Sequence, residues 1–406
     1  MSVESFDDLL DFIEIDQHNN NREEKICTVN NPTEDNITSD KLIINYEISY
    51  NLVLYLINNE INKLIFTSCI FNFDLNINED FAYETYNEDD IPDDYVRHDC
   101  FGDLSFEFNS CKFKEKINFE NFDYNGKVKF RHCYFNIIKI NNATFKDLFE
   151  MSFSEIQSIV VFNKVDFNAN CVFTKTKFLK NCIFIYSTFE KQGIFSRAIF
   201  KDKNERPTAL DLSQCIVNGQ LTFFETQIEN YTAVTVNTED ETKFDQLTES
   251  GEHIPIQNKR ETFRIIKNQL TEQNNLIEAE KYAKLEKQTY LKELSSDFKR
   301  KHLSNLASLS LNWFSNNHKT DSIQAFLVTI CIAFVSHLIL QFSGAYNFTF
   351  ENYAKLLNPT DFSFYNGEKY DNKKVISGNL YIAYFTSKLV IGYGIYQFIQ
   401  AFRKFK

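Results

Sequence analysis

Few residues of this chain stand where their type and setting suggest chemistry, and the two clearest lie in apolar surroundings. Ser322 to Phe342 (SIQAFLVTICIAFVSHLILQF) lacks Asp, Glu, Lys and Arg and holds His337, and Leu380 to Phe402 (LYIAYFTSKLVIGYGIYQFIQAF) is interrupted by a single charge, Lys388. Both stretches are long enough to cross a bilayer core of about 30 Å, where an ionisable group is costly and marks a candidate functional position. Lys388 and His337 are therefore candidates for lining a pore, with an anion preference if Lys388 stays charged. Snorkelling of Lys388 to the outer interface is the structural alternative. Ile391-Gly392-Tyr393-Gly394 shares three letters with potassium-channel filters, but a filter precedes its second span and only 12 residues follow Gly394. Its glycines read as small residues that permit close helix packing.

Other reactive residue types form no site. Residues 78–100 carry Glu79, Asp80, Glu84, Glu88, Asp89, Asp90, Asp93 and Asp94 without a D-x-D-x-D-G loop, so they read as a solvated acidic insertion and not a calcium site. The nine cysteines include no C-x-x-C and no ligand pairs at zinc spacing. Six of them, Cys69, Cys111, Cys133, Cys171, Cys182 and Cys215, stand two residues before a large apolar residue, which suits buried thiols in a reducing compartment. His132 is alone on a polar corner. No Gly-rich phosphate loop, Ser/His/Asp or Cys/His grouping or paired catalytic carboxylates appear, so neither enzyme activity, nor a cofactor, nor a metal is expected. A net charge of −13 argues against a nucleic-acid partner held by a basic face.

What must position these residues is a repeat. From Phe108 to Phe200 a large apolar residue returns every five or six positions, through Phe113, Phe119, Tyr124, Phe130, Phe135, Ile140, Phe145, Met151, Ile156, Phe162, Phe167, Phe173, Phe178, Phe184, Phe189 and Phe195. The repeat is 11 residues, slipping once near Ile140, and a small side chain often lies two before the large one, as at Cys111, Cys133, Ala143, Val165, Cys171, Thr176, Cys182, Ser187 and Ala198. Steps of five and six scatter around an α-helix, whereas in short strands a residue and the one two before it share a face. The period extends backward through Ile61, Phe66, Phe71 and Ile77 and resumes at Leu212, Val217, Phe223 and Ile228.

The pattern small-x-Phe-x-x resembles the repeat of the pentapeptide-repeat proteins. The resemblance implies a mainly β solenoid, a right-handed four-sided β-helix, here with coils of 22 residues that set Cys111 and Cys133 in the same slot of neighbouring coils. Phe113, Phe135, Phe162, Phe167, Phe173, Phe178, Phe184, Phe189, Phe195 and Phe200 would then form a structural ladder at the strand spacing of about 4.8 Å. Some members bind DNA gyrase through an acidic surface, but as soluble dimers without membrane spans.

The chain divides into an acidic tail over 1–40 and a repeat domain over 41–228 with insertions at 78–100 and 201–210. A linker follows over 229–258, then a helical hairpin over 259–296 turning at Gln273-Asn274-Asn275, a juxtamembrane segment over 297–319, and a two-helix membrane domain over 320–406 with spans at 322–342 and 380–402. Leu303 to Phe314, with the single Trp at 313, suits an amphipathic helix at inner headgroups. Basic residues flank the pair of spans, with Lys299, Arg300, Lys301, His302 and Lys319 before and Arg403, Lys404 and Lys406 after. This places both termini in the cytoplasm of a multi-pass inner-membrane protein.

The functional expectation is a membrane-anchored cytoplasmic interaction or scaffold protein without catalytic activity. Its partners would be the lipid bilayer, an unidentified protein and further copies of itself, in a homo-oligomer. The alternative is an oligomeric pore-forming or ion-permeation effector gated by the repeat domain, by analogy with membrane-disrupting bacterial defence.

Overall fold

The computed structural model describes residues 2–3, 5–19, 23–29, 42–44, 61–78, 104–236, 250–296, 302–342, 349–361 and 378–403. Beyond residue 78, the acidic insertion expected over 78–100 lies outside them. Two compact units are present, Met1–Gln269 and Leu270–Lys406.

In the first unit the repeat fixes strand register. Phe108 pairs with Phe130, Phe113 with Phe135, Ile140 with Phe162, Phe162 with Phe184 and Phe178 with Phe200, all in parallel strands. A one-residue slip in this pairing would turn the apolar faces to water. The strands sort into a sheet of 12 and a sheet of nine, and in the smaller one the pair Ile13–Asn19 and Glu23–Val29 is antiparallel. Part of the expected N-terminal tail is thus built into sheet, beside a short helix α1 (Phe6–Leu10).

This arrangement corrects the expected mainly β four-sided solenoid. The two sheets are parallel or mixed and not closed, and together with seven helices among the described residues they make an α/β fold. The physical reason lies at the bends. Asn121, Asn142, Lys164 and Tyr186 adopt left-handed conformations (φ 51, 50, 53 and 48°) inside the strands Lys112–Tyr124, Tyr134–Phe145, Val160–Phe167 and Cys182–Phe189. The chain bends there without ending its ladder, so stretches expected as separate sides run on within one sheet.

All ten residues expected in the structural ladder are buried. Phe113 stacks on Phe135 (ring centroids 5.0 Å apart), Phe162 on Phe184 (4.5 Å), Phe167 on Phe189 (5.4 Å), Phe173 on Phe195 (4.9 Å) and Phe178 on Phe200 (4.9 Å). Rings of adjacent rows meet edge to face, as Phe113 does Phe130 at 5.9 Å, so each ring is held both along and across the stack.

The small residues are donors as well as space-savers. Cys111 Sγ donates to Phe66 O (3.4 Å), Cys133 Sγ to Phe108 O (3.2 Å), Ser154 Oγ to Phe130 O (3.4 Å) and Ser187 Oγ to Phe162 O (2.9 Å). These bonds tie the small residues to the backbone of the preceding row, 24–45 residues earlier in the chain.

Helix α2 (Ile256–Glu272) begins three residues before the expected hairpin, and its side chains meet the last strands of the sheets. Leu212 N donates to Thr262 Oγ1 (3.0 Å) and Leu221 N to Gln269 Oε1 (2.8 Å), while Asn258 Nδ2 donates to the buried Asp211 (3.0 Å). Edge amides that would template foreign strands are consumed there.

The second unit holds α3 (Leu276–Ser296), α4 (Leu303–Asn316), α5 (Ser322–Phe342), α6 (Phe350–Leu357) and α7 (Gly378–Phe402). Asn274, in the break between α2 and α3, is left-handed (φ 57°). A rarer left-handed run of three, Asn317, His318 and Lys319 (φ 49, 62 and 78°), joins α4 to α5. It is held by the buried Asn316, whose Oδ1 accepts from Lys319 N (2.8 Å) and whose Nδ2 donates to Gln397 O (3.3 Å). α5 and α7 pack around Ala333, Leu340, Tyr384 and Ile391, with Leu356 of α6. Gly394 is required by that packing, since a Cβ there would stand 2.6 Å from Thr329 Oγ1.

The expectation of a multi-pass protein is corrected here. Among the described residues one helix, α5, is long and apolar enough to cross a membrane. α7 is long enough but is diluted by Lys388, Gln397, Gln400 and four tyrosines.

Candidate functional site

A column of side chains, all exposed except the half-buried Ser68, runs along one set of bends in the sheet unit. Ser68, Ser110, His132, Phe153, Lys175, Arg197 and Glu225 are all left-handed (φ 53–58°), although none is glycine. The conformation is enforced by the ladder. Ser110 N donates to Arg131 O (2.8 Å), His132 N to Ser152 O (3.1 Å), Phe153 N to Thr174 O (2.9 Å), Lys175 N to Ser196 O (3.0 Å) and Arg197 N to Phe224 O (2.7 Å). A strained backbone persists where its surroundings over-determine it in this way. The side chains are thereby aligned outward as a ribbon: the His132 ring stacks on Phe153 at 4.9 Å, Lys175 Nζ lies 4.9 Å from the Phe153 centroid, and the Arg197 guanidinium 5.7 Å from that of Phe224. Phe153 and Phe224 are exposed. Cations over rings at exposed sites contribute about 0.5–1 kcal/mol each.

Beside the ribbon, Lys177, Arg197, Ile199, Lys203 and Glu225 border a groove of about 650 Å³. Its charges are largely paired: Arg197 with Glu225 (2.6 Å), Lys177 with Glu155 (3.7 Å) and Lys201 with Glu205 (3.3 Å). The loop at its rim, within the expected 201–210 insertion, is shaped by Asp202, whose Oδ1 accepts from Asn204 N (2.8 Å) and Arg206 N (2.9 Å).

The neighbouring face of the smaller sheet carries an ion-pair cluster. Glu107 meets Lys63 Nζ (2.9 Å), Arg131 Nη1 (3.7 Å) and Lys129 Nζ (3.9 Å), while Arg131 forks onto Glu150 (3.0 and 2.8 Å). Burial pushes the Glu107 carboxyl up, but hydrogen bonds from Lys63 and Asn109 and the charges of Lys63 and Lys129 together hold it below the usual carboxylate value. The hydrogen bonds that Arg131 donates to Glu150 raise its guanidinium above the usual value. With both carboxylates engaged, the cluster is a brace across strands and offers no free acid or base.

Cys27, Cys69, Cys111, Cys133, Cys171 and Cys182 are buried free thiols and Cys215 is half-buried. Burial pushes Cys27 and Cys215 up to about 12 and Cys133, Cys171 and Cys182 well above the ordinary thiol value. Protonated thiols of this kind are poor nucleophiles. Among the described residues no group of three or more His, Cys, Asp or Glu is arranged to hold a metal ion.

The two residues expected to line a pore are buried. The Lys388 amine donates to Lys355 O (2.7 Å), Leu356 O (3.1 Å) and Asn358 O (2.6 Å), which makes it the cap of the C-terminal end of α6, where a cation also meets the helix dipole favourably. His337 lies edge-on to Tyr353 at 5.9 Å and borders an apolar cavity of about 490 Å³ with Phe334 and Phe350. Both residues thus face α6, Lys388 at its C-terminal end and His337 at Tyr353.

The ribbon and the Lys388 cap were not anticipated from the sequence. The ribbon had a signal, because each of its residues immediately precedes a small slot residue: Ser110 before Cys111, His132 before Cys133, Lys175 before Thr176, Arg197 before Ala198. The partner of Lys388 had one too, since Thr349 opens α6 as an N-cap, its hydroxyl accepting from Asn352 N (3.2 Å).

No family model matches the chain, and neither a curated protein nor a solved structure matches it. Function is therefore argued from this geometry alone.

Proposed function

We propose that the protein is a non-catalytic interaction scaffold, held at the inner membrane by α5, whose sheet unit presents the His132–Phe153–Lys175–Arg197–Phe224 ribbon to a protein partner. The ribbon is the observation that carries this reading. It sets aromatic and cationic side chains outward at a fixed pitch on a rigid frame, and residue types of this kind dominate binding energy at protein interfaces. The buried reduced thiols support a cytoplasmic location for the sheet unit. The ion-permeation alternative has less support, because the Lys388 amine is consumed by three carbonyls.

Two measurements on the full chain test the proposal. Alkaline carbonate extraction of cell membranes should leave the protein in the pellet, and release into the supernatant overturns the anchoring. Crosslinking followed by mass spectrometry should find a partner across Phe153 and Phe224, and the double variant F153S/K175E should lose it while its melting curve stays unchanged. Retention of the partner by that variant overturns the ribbon as the binding face.

A further inference from the structure

The link between α4 and α5 buries an imidazole that it does not satisfy. His318 is 3% exposed, and among the described residues neither its Nδ1 nor its Nε2 has a hydrogen-bond partner, nor has Oδ1 of Asn317 beside it. Such orphans are rare in folded proteins, and strain or function is the usual reason for one.

The backbone around the ring is strained as well. Asn317, His318 and Lys319 are all left-handed, held so by bonds from Asn317 N to Trp313 O (3.0 Å), His318 N to Asn312 O (3.1 Å) and Thr320 N to Asn316 O (3.1 Å). A backbone in this state persists only while its surroundings dictate it.

Those surroundings are cationic. Lys284 and Lys287, three residues apart and half-buried on one face of α3, bring their charges to bear on the ring. α3 lies against α4, where Asn305 Nδ2 donates to Tyr290 Oη (3.5 Å). On the link itself Lys319 is a further cation, and the carboxylate of Asp321 is turned to α5, accepting from Gln324 N (2.8 Å). The neutral ring is tolerated in this place. An imidazolium would be one more buried cation, with no acceptor for its protons.

We infer that the Asn317–Lys319 link is an acid-released latch: a proton taken up by His318 drives the ring out to solvent, and the left-handed turn that joins α4 to α5 opens. What is released is the join between two parts of the helical unit. Gln324 Nε2, in the first turn of α5, donates to Trp313 O (3.1 Å) and Phe314 O (2.7 Å) in the last turn of α4, and both bonds require the turn to be made. The latch depends on neither the ribbon nor the membrane anchor.

The size of the response follows from linkage. An imidazole in water takes up its proton near 6.5, and this one only at about 4, so the open link binds the proton first. Acidification between those values shifts the balance toward the open link by up to about 300-fold.

Amide exchange of the full chain, corrected for the pH dependence of the exchange chemistry itself, tests the latch. Peptides spanning 312–324 should be protected above pH 6.5 and lose protection progressively towards pH 4, while those from the strand Val160–Phe167 stay protected. The emission of Trp313, the single tryptophan, should change over the same range. His318→Gln should remove both transitions with the circular dichroism spectrum retained. The double variant K284Q/K287Q lightens the repulsion and should move the midpoint to lower pH. Constant protection from pH 6.5 to 4 in the unsubstituted chain overturns the inference, and so does a transition that survives unchanged in His318→Gln. If His318→Gln opens the link at every pH, the lysine variant decides, and an unmoved midpoint there overturns the latch.

Discussion

The two units dispose of the same residue type in opposite ways. In the sheet unit Phe130 is fully buried, stacked on Phe108 at 4.9 Å and edge-on to Phe135 at 5.2 Å; in the helical unit Phe342 of α5 is 86% exposed. A core built from a repeat satisfies itself, because each row of rings is the wall for the next. A bundle whose large apolar residues point outward, as Ile323, Phe326, Leu389 and Ile399 do, takes part of its stabilisation from whatever surrounds it. One unit is therefore expected to be indifferent to its medium and the other to depend on it.

The largest expected effect sharpens that contrast. Phe130→Ala should destabilise the sheet unit by about 3–5 kcal/mol, read as a lowered denaturation midpoint, whereas Phe342→Ala should stay within about 0.5 kcal/mol. Equal losses would break the comparison. Next, Thr262→Val removes the acceptor for Leu212 N–H and one donor to the buried Asp211, at a cost of about 1–3 kcal/mol in the same assay.

In the helical unit Lys388→Met should leave three carbonyls at the end of α6 unsatisfied and cost about 2 kcal/mol, seen as faster amide exchange over residues 350–361. Arg131→Met takes the two-pronged partner away from the buried Glu150 and should cost about 1–2 kcal/mol.

A further pair of effects distinguishes the units by pH. Burial, with the charges of Lys287 and Lys284, lowers His318 from 6.5 to about 4. The unfolded chain then binds this proton first on acidification, so stability is fully present above pH 6.5 and is lost between 6.5 and about 4. His318→Gln should flatten this part of the helical unit's profile. Glu107, held below its usual value, contributes stability that is present above the ordinary carboxylate range and is lost as pH falls through its lowered folded value. Glu107→Gln should therefore alter the sheet unit's profile only at more acid pH.

How far the sequence carried differs along the same division. The spacing of Phe113, Phe135, Phe162 and Phe184 fixed which residues are interior, and the slots at Cys111 and Cys133 are small and buried for the reason their position suggested. The sheet architecture was not legible, because it turns on whether the backbone bends inside a strand or ends it. Asn121 and Lys164 do the former, and while asparagine tolerates a left-handed conformation better than most residues, nothing about Lys164 announces one. The fate of Lys388 was hidden for another reason. Its partners lie 30–33 residues away on a helix whose opening cap is a single threonine, so hydropathy registered a charge in an apolar run and nothing of the carbonyls that receive it.

The left-handed bends have one more consequence. Their backbone is dictated by neighbouring strands and not by the side chain that sits there, so Ser110, His132, Phe153, Lys175 and Arg197 occupy equivalent places with unrelated chemistry. The outer strip is thus a row of interchangeable letters on an invariant spine, one per turn of the repeat, and a different recognition text can be written there without rebuilding the protein beneath it.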